Sequence, residues 1–276
     1  MEDYRGYKEI MLPDEQLAEF YADPHNNRFE LLTNEYLVVY NEDGDVVDQL
    51  RWDGAELKPV PFKTIKGRFM GTVKPRNIHQ QLAIDMLYQP DITIKVLTGG
   101  YGVGKDMLMC AAALDLIERG KYDRIVWVRN NYEVKDTKPI GHLPGEYMDK
   151  LLPFVMPLAD HLGGVDSLRL MMSQGKIEAM HLGFIRGRDI CNSIIMCSEA
   201  ENLTKGHAKL LVGRVGEGSS IWFNGDYRQT DSEVFRQNNG LLAMIDRLKG
   251  LPEFGHVQLV KIERSKTAAL ADLLDD

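Results

Sequence analysis

The stretch that most restricts what this chain can fold into is "ITIKVLTGGYGVGKDMLMCAAALDLIERG", residues 92–120. A run of β-branched and apolar residues stops at Gly99, Gly100, Gly102 and Gly104, and an Ala- and Leu-rich stretch follows. Strand, glycine turn and helix in that order place the N–H groups of the turn at a helix N-terminus, where an anion is favoured. Glycine supplies the positive-φ backbone that lets those groups converge. Gly99 and Gly104 are five positions apart and Lys105 follows, the spacing of a phosphate-binding loop with a lysine for the terminal phosphates. The next position should carry a hydroxyl for magnesium, and it carries Asp106 instead.

Around this unit, short apolar runs alternate with helical stretches, the pattern of βαβ units and a parallel sheet. The strand candidates are "ITIKVL", "RIVWVR", "IEAMHL", "SIIMCS", "SIWFNG" and "HVQLVKI", with helices expected around 105–119, 145–162, 205–214 and 237–249. The strands show little polar alternation, as a sheet covered on both faces requires. Trp127 and Trp222 lie in such runs and are expected in the core. The fold class expected is α/β, a doubly wound P-loop domain.

Before "VKPRNIHQQ" the chain has a different character. "FELLTNEYLVVYNEDGDVVDQLRW" alternates around Asp43-Gly44 and reads as a β-hairpin, and "WDGAELKPV" supplies a second Asp-Gly turn. Residues 28–72 are expected to be a small β module and 1–27 a helical or irregular arm. The division is therefore 1–72 and 73–276, which suits a chain of 276 residues. The three cysteines have neither CxxC nor Cys/His spacing, so zinc and disulfides are not expected and a reducing cytoplasm is. The charged N-terminus is no signal peptide, no apolar run is long enough to span a membrane, and the seven histidines show no metal spacing.

A second motif, "SIIMCSEAENLT", ends an apolar strand in Ser198-Glu199. Phosphate-loop ATPases end this strand in Asp-Glu, the Asp serving the metal and the Glu the attacking water. The two departures have the form of an exchange: a carboxylate at 106 for a hydroxyl, a hydroxyl at 198 for a carboxylate. Magnesium takes oxygen ligands, and the pair still offers one carboxylate and one hydroxyl. Asp106 and Ser198 are therefore the candidate metal residues, with loss of catalytic competence as the rival reading. A third element, "FNGDYRQTD", offers Gln229 to sense the γ-phosphate or orient the water.

From about Thr72 to Ser265 the chain resembles the PhoH-like ATPases, a branch related to superfamily 1 helicases. The resemblance rests on "PRNIHQQLAIDMLYQPDI", the phosphate loop, "VRNNYEVKDTKPIGHLPGEYMDKLLPFVMPLADHL", "GKIEAMHLGFIRGRDI", "EAENLT", "GRVGEGSS", "GDYRQTD" and "IERS", in family order. It is strongest to the ATPase half of the PIN–PhoH fusions, whose connector the β module resembles, and it leaves no room for the nuclease. It implies ATP and Mg2+ as cofactors, and a cradle formed by Gly99, Gly100, Tyr101, Gly102, Val103, Gly104, Lys105, Asp106 and Met107. Gln80 matches the position that reads adenine, or else is a polar helix-start residue. Arg214 and Arg264 are candidates for phosphate contacts, one of them reaching a neighbouring subunit as an arginine finger, or else for surface ion pairs. Lys105, Glu199, Gln229, Arg214 and Arg264 are then the catalytic set. Glu201 stands where the family has glutamine. His142 is expected in a loop near the nucleotide or a subunit contact.

The net charge of −8 argues against a uniformly basic nucleic-acid coat but not against a local groove. Lys58, Lys63, Lys66, Arg68, Lys74 and Arg76 fall in a stretch without an acidic residue, with Phe62 and Phe69 between them. Basic side chains can track phosphates while aromatics stack on bases; the alternative is a solvated connector. Arg186 and Arg188 form a second basic spot. The resemblance favours RNA or single-stranded nucleic acid as partner and a homo-oligomer, a hexameric ring by family analogy. Two functions stay open: an ATP-hydrolysing remodeller of RNA or single-stranded DNA, or a nucleotide-binding scaffold or switch with little hydrolysis.

Overall fold

The computed structural model describes residues 4–129, 155–229 and 233–263. Its first elements are β1 (Tyr7–Met11), α1 (Asp14–Ala22), β2 (Tyr36–Tyr40), β3 (Val46–Trp52) and β4 (Leu57–Pro59). They form a sheet in the order β1-β2-β3-β4. The expected hairpin is β2–β3, closed where the Gly44 N–H donates to Asn41 O at 3.1 Å and the Asp45 N–H to Asn41 Oδ1 at 2.8 Å. The arm expected to be helical or irregular is partly otherwise: α1 is helical, but residues 7–11 form a strand parallel to β2. A parallel partner lies far away in sequence, so "YKEIM" carries no local turn signal that would reveal it. A short antiparallel hairpin, β5 (Ile65–Gly67) and β6 (Gly71–Val73), completes the N-terminal part.

The elements that follow are α2 (Ile78–Tyr88), β7 (Ile94–Thr98), α3 (Lys105–Glu118), β8 (Arg124–Arg129), helical residues 155–161 (α4), α5 (Val165–Ser173) and β9 (Ile177–His181). Then come β10 (Ser193–Ser198), α6 (Lys205–Val212), β11 (Ser220–Gly225), α7 (Glu233–Gln237), α8 (Gly240–Leu248) and β12 (Phe254–Gln258). All six expected strands are present, and they pair in parallel in the order β12-β7-β11-β10-β8-β9. The last one starts and ends earlier than "HVQLVKI". Of the helix expected over 145–162, residues 145–154 lie outside the described residues.

Both faces of the sheet are buried, which is why its strands lack alternation. Leu97, Trp127, Met196 and Trp222 pack on one side with Leu82 of α2, Leu108 of α3 and Leu168 of α5. Val96, Val126, Ile195 and Phe223 pack on the other with Leu211 of α6 and Leu241 of α8. Lys95 is the exception on β7. It is 1% exposed, and its Nζ donates to Leu87 O at 2.6 Å and Gln89 O at 2.8 Å. It thus satisfies carbonyls at the C-terminus of α2, and burial lowers its pKa from 10.5 to about 7.

The N-terminal sheet is fastened to the large one by buried polar groups. Asn34 Nδ2 donates to Pro252 O (2.8 Å) and Phe254 O (3.0 Å), and Asn34 Oδ1 accepts from Arg51 (2.9 Å). Tyr36 donates its hydroxyl to Asp85 of α2 at 2.9 Å, and Arg51 approaches the same carboxylate at 3.7 Å. The edge of β12 is covered where the Gln258 N–H donates to Arg5 O at 2.9 Å. Asn34 also has φ of 66°, a left-handed conformation that asparagine tolerates better than alanine. Asn34→Ala is expected to cost about 3 kcal/mol, since it strands buried carbonyls and adds backbone strain. The check is a lower urea midpoint with an unchanged m-value.

Candidate nucleotide site

β7 delivers the chain into the glycine loop, and α3 leaves it at Lys105. Gly99, Gly102 and Gly104 have φ of 140°, 74° and 93°, which a side-chain-bearing residue adopts only under strain. A Cβ at Gly99 would also fall 2.1 Å from Leu259 O, so the loop fits beneath the end of β12 only as glycine. Lys105 Nζ lies inside the loop, donating to Gly99 O (2.5 Å) and Gly100 O (2.8 Å). A cleft of about 320 Å³ opens here, lined by Arg76, Gln80, Tyr101, Gly102, Gly104, Lys105, Asp106, Met107, His161 and Glu263. Most of the expected cradle is thus in one place. Gly99, Gly100 and Val103 do not line the cleft: the two glycines give their carbonyls to Lys105, and the Val103 side chain is in the core.

Gln80 lines the cleft, but its amide is already engaged. Nε2 donates to Val103 O at 3.0 Å, and Oε1 accepts the Arg76 N–H at 2.9 Å. The residue is 1% exposed and anchors the loop to α2. Glu263 closes the far wall: its N–H donates to Gly102 O at 3.0 Å, and its Oε1 accepts from Asn77 at 2.7 Å.

Asp106 stands in the first turn of α3 and meets Ser198, whose hydroxyl donates to Asp106 Oδ1 at 3.3 Å. The two candidate metal residues are therefore in contact. Asn224 at the end of β11 donates to the same oxygen at 2.7 Å. Asn224 is a site residue not expected from the sequence, although an amide near the end of the largely apolar strand "SIWFNG" marks it. Asp106 and Ser198 offer oxygen atoms that would suit a magnesium ion, and Asn224 orients the Asp106 carboxylate with its amide N–H. Among the described residues no three His, Cys, Asp or Glu side chains cluster as an all-protein metal cage.

Glu199 follows directly, with φ 56° and ψ 45° at the start of a short 3₁₀ turn. Such a conformation costs a non-glycine residue about 1–3 kcal/mol and persists where surrounding structure demands it. Arg129, at the end of the adjacent strand β8, donates Nε to Glu199 Oε2 at 3.1 Å and a terminal nitrogen to Oε1. Glu201 points inward, accepting the Asp226 N–H at 3.1 Å. A Cβ on Gly225 would sit 2.3 Å from this carboxylate. Burial pushes the Glu201 carboxyl up to about 7 from 4.5, backbone N–H groups oppose the rise, and the charge of Glu199 adds to it. Asp226 itself faces the loop, since a Cβ on Gly100 would lie 3.8 Å from its carboxylate.

Of the remaining expected residues, Gln229 lies beside Asp226 and Arg214 stands apart. Gln229 is half-buried, and its N–H closes a turn onto Asp226 O at 2.9 Å. Arg214 lies past the end of α6, where its carbonyl accepts the Ile190 N–H (3.0 Å) and Nη1 is 3.5 Å from Arg188 O. Ile190 precedes β10 and Ser198 ends it, so Arg214 is a strand's length, about 17 Å, from the metal-type position. It cannot reach the phosphates of its own chain. Arg188 pairs with Glu178 at 2.9 Å beside exposed Arg186. Lys58 pairs with Glu56 and Asp53, and Lys63 lies 4.4 Å over the Tyr88 ring. Lys66, Arg68 and Lys74 are exposed on the β5–β6 hairpin and its flank, with Phe69. Arg264 and His142 lie outside the described residues.

A phosphate loop on β7, a Ser-Glu strand end on β10 and β11 between them define the P-loop NTPase fold. The family model described as PhoH-like protein matches residues 72–273, and this chain belongs to that family. It is 35% identical over 295 residues to Protein PhoH2 of Bacillus subtilis, covering 99% of this chain and 65% of the relative. Protein PhoH2 of Thermobispora bispora is 32% identical over 74% of this chain and 48% of its own length. Protein PhoH2 of Mycolicibacterium smegmatis is 33% identical over 72% and 46%. The chain thus spans between about half and two thirds of these relatives. A Pif1 helicase from Candida albicans superposes over 74% of this chain and 44% of its own, at 13% identity and a TM-score of 0.39, a likeness too loose to argue from.

The Glu201 carboxyl gives a pH test. The folded chain holds this proton to about pH 7 and the unfolded chain to 4.5, so the contribution to stability is full below 4.5 and lost as pH rises through 7. Glu201→Gln keeps the shape and removes the titration. It is expected to stabilise the protein by up to about 3 kcal/mol at pH 8, with the gain fading toward pH 4.5. Thermal melts of both proteins at pH 5 and 8 give the answer; an equal shift at both would exclude a titrating Glu201.

Proposed function

We propose that this chain binds ATP with magnesium, hydrolyses it, and couples turnover to RNA or single-stranded nucleic acid as a homo-oligomer. The observation that carries the reading is the contact of Asp106 with Ser198, one residue after the phosphate-loop lysine and one before Glu199. An exchange of metal-directed groups requires this contact, and the pair brought together still offers one carboxylate and one hydroxyl. Magnesium, when bound, supplies charge neutralisation at the β- and γ-phosphates. Asp106 and Ser198 would hold it, and Asn224 fixes the Asp106 carboxylate so that one oxygen is oriented in advance. Lys105 exchanges two loop carbonyls for phosphate oxygens, a stronger pairing because both partners are charged. Glu199 accepts the proton of the attacking water, and Gln229 or Asp226 orients that water.

Exposed Lys66, Arg68 and Lys74 with Phe62 and Phe69 support a nucleic-acid contact, since phenylalanines at 63% and 37% exposure are open to stacking. Lys58, Lys63 and Arg76 extend the same segment, and Arg186 and Arg188 form a second basic spot for the same partner. Arg214, far from its own phosphate loop, and Arg264 fit a finger reaching a neighbouring subunit. One observation favours the alternative, a nucleotide switch with slow hydrolysis: Glu199 is gripped by Arg129.

Lys105→Ala is expected to abolish nucleotide binding in a folded protein. Glu199→Gln should bind ATP normally and lose about 100-fold or more in turnover, the range for removal of a general base. Titration with a fluorescent ATP analogue and steady-state phosphate release separate the two; unchanged turnover in Glu199→Gln would move the base elsewhere.

A second pair of variants tests the exchange. Asp106→Ala should weaken ATP binding strongly with magnesium and little in EDTA. Asp106→Thr alone should not work, but Asp106→Thr with Ser198→Asp should regain magnesium-dependent binding, the non-additivity of groups sharing one ion. Calorimetry with and without magnesium reads both effects, and a double variant no better than the single one would overturn the exchange.

A further inference from the structure

We propose that Arg129 is a positioning residue that holds Glu199 away from catalysis, and that a phosphate group capturing the guanidinium releases it. The inference rests on the hydrolysis reading above. Arg129 ends β8 and lies in register with Ser198, so the residue just beyond Ser198 emerges beside it. The guanidinium fork takes both Glu199 oxygens, one through Nε at 3.1 Å and the other through a terminal nitrogen. The lone pairs that face the fork are not offered to a water. Glu199 meanwhile sits in a left-handed backbone conformation, φ 56°, at the start of a short 3₁₀ turn that aims its side chain toward Arg129.

The grip is also built to exchange. The Glu199 side chain is 43% exposed and that of Arg129 23%, so solvent and ligands reach the pair. The contact stands at the C-terminal ends of parallel strands, the edge of the sheet where ligands bind and where the phosphate loop also lies. A planar guanidinium fork accepts phosphate as readily as carboxylate. Phosphate is the competing chemistry, and it has two sources: the terminal phosphate of the bound nucleotide or the backbone of a nucleic-acid strand. In either case the exchange moves one cation from one anion to another and leaves Glu199 charged and uncovered. No bond is made or broken by the latch itself.

The test compares the parent chain, Arg129→Gln, Arg129→Lys and Glu199→Gln for ATP binding and turnover, with ATP alone and with added oligouridylate. Arg129→Gln is expected to raise kcat with ATP alone about fivefold at nearly constant KM, the pattern of a better-placed base. Arg129→Lys, which keeps the charge and loses the fork, should fall between. If oligouridylate stimulates the parent and no longer stimulates Arg129→Gln, the releasing phosphate belongs to nucleic acid. If it stimulates neither while Arg129→Gln is faster, the releasing phosphate belongs to the nucleotide, which then frees Glu199 in only part of the ATP-bound molecules. A double-mutant cycle of Arg129→Gln and Glu199→Gln in thermal unfolding should show coupling, and strictly additive effects would mean that the pair does not exist in solution. An Arg129→Gln chain no faster than a parent whose activity needs Glu199 overturns the latch and leaves the hydrolysis reading standing. Parent and Arg129→Gln that both bind ATP without turnover would overturn both.

Discussion

Insertion of β11 between β7 and β10 sets the width of the site. Two strand spacings, about 9.6 Å, separate the strand that carries the phosphate loop from the strand that ends in Ser198-Glu199. A group on one cannot touch a group on the other without something spanning the gap. Asp106 reaches Ser198 from the first turn of α3, and Asn224 supports the same carboxylate oxygen from the intervening strand. The chemistry proposed for the site depends on this three-residue bridge. The bridge in turn depends on the strand order, because β11 is the only position from which a side chain at 224 could reach Asp106 from between its partners.

Rigidity is supplied from behind by polar groups in unusual places. Lys95 ties β7 to the end of α2, and Gln80 ties the start of α2 to the phosphate loop, so one helix braces the loop at both ends. Buried polar groups of this kind are costly unless paired, and both are paired with backbone. The N-terminal sheet adds a second brace, since Tyr36 and Arg51 both converge on Asp85 of the same helix. The β module and the phosphate loop thus both rest on contacts made by one helix.

The two glutamates after Ser198 show how position decides role. Glu199 lies at the open end of β10, meets a guanidinium and remains half-exposed; Glu201, two residues on, is turned inward and favours its proton. A protonated carboxyl is close in shape and hydrogen bonding to the glutamine that the family resemblance leads one to expect there. Below neutral pH the substitution is thus nearly silent, and above it a buried charge is introduced beside Gly225 and Asp226.

What the sequence determined alone was whatever depends on near neighbours. Five-residue glycine spacing before Lys105, apolar runs without alternation and Asp-Gly turns are local constraints on backbone conformation and burial, and they were enough to read the phosphate loop, all six sheet strands and the β2–β3 hairpin. The exchange at 106 and 198 was also visible, but as two residue types ninety-two positions apart, with no distance between them. Tertiary structure decided the rest. The strand status of residues 7–11, the bridging amide of Asn224, the grip of Arg129 on Glu199 and the remoteness of Arg214 from its own loop all follow from which strands lie side by side. Strand order is set by long-range packing of both sheet faces, and no short-range pattern of residues encodes it.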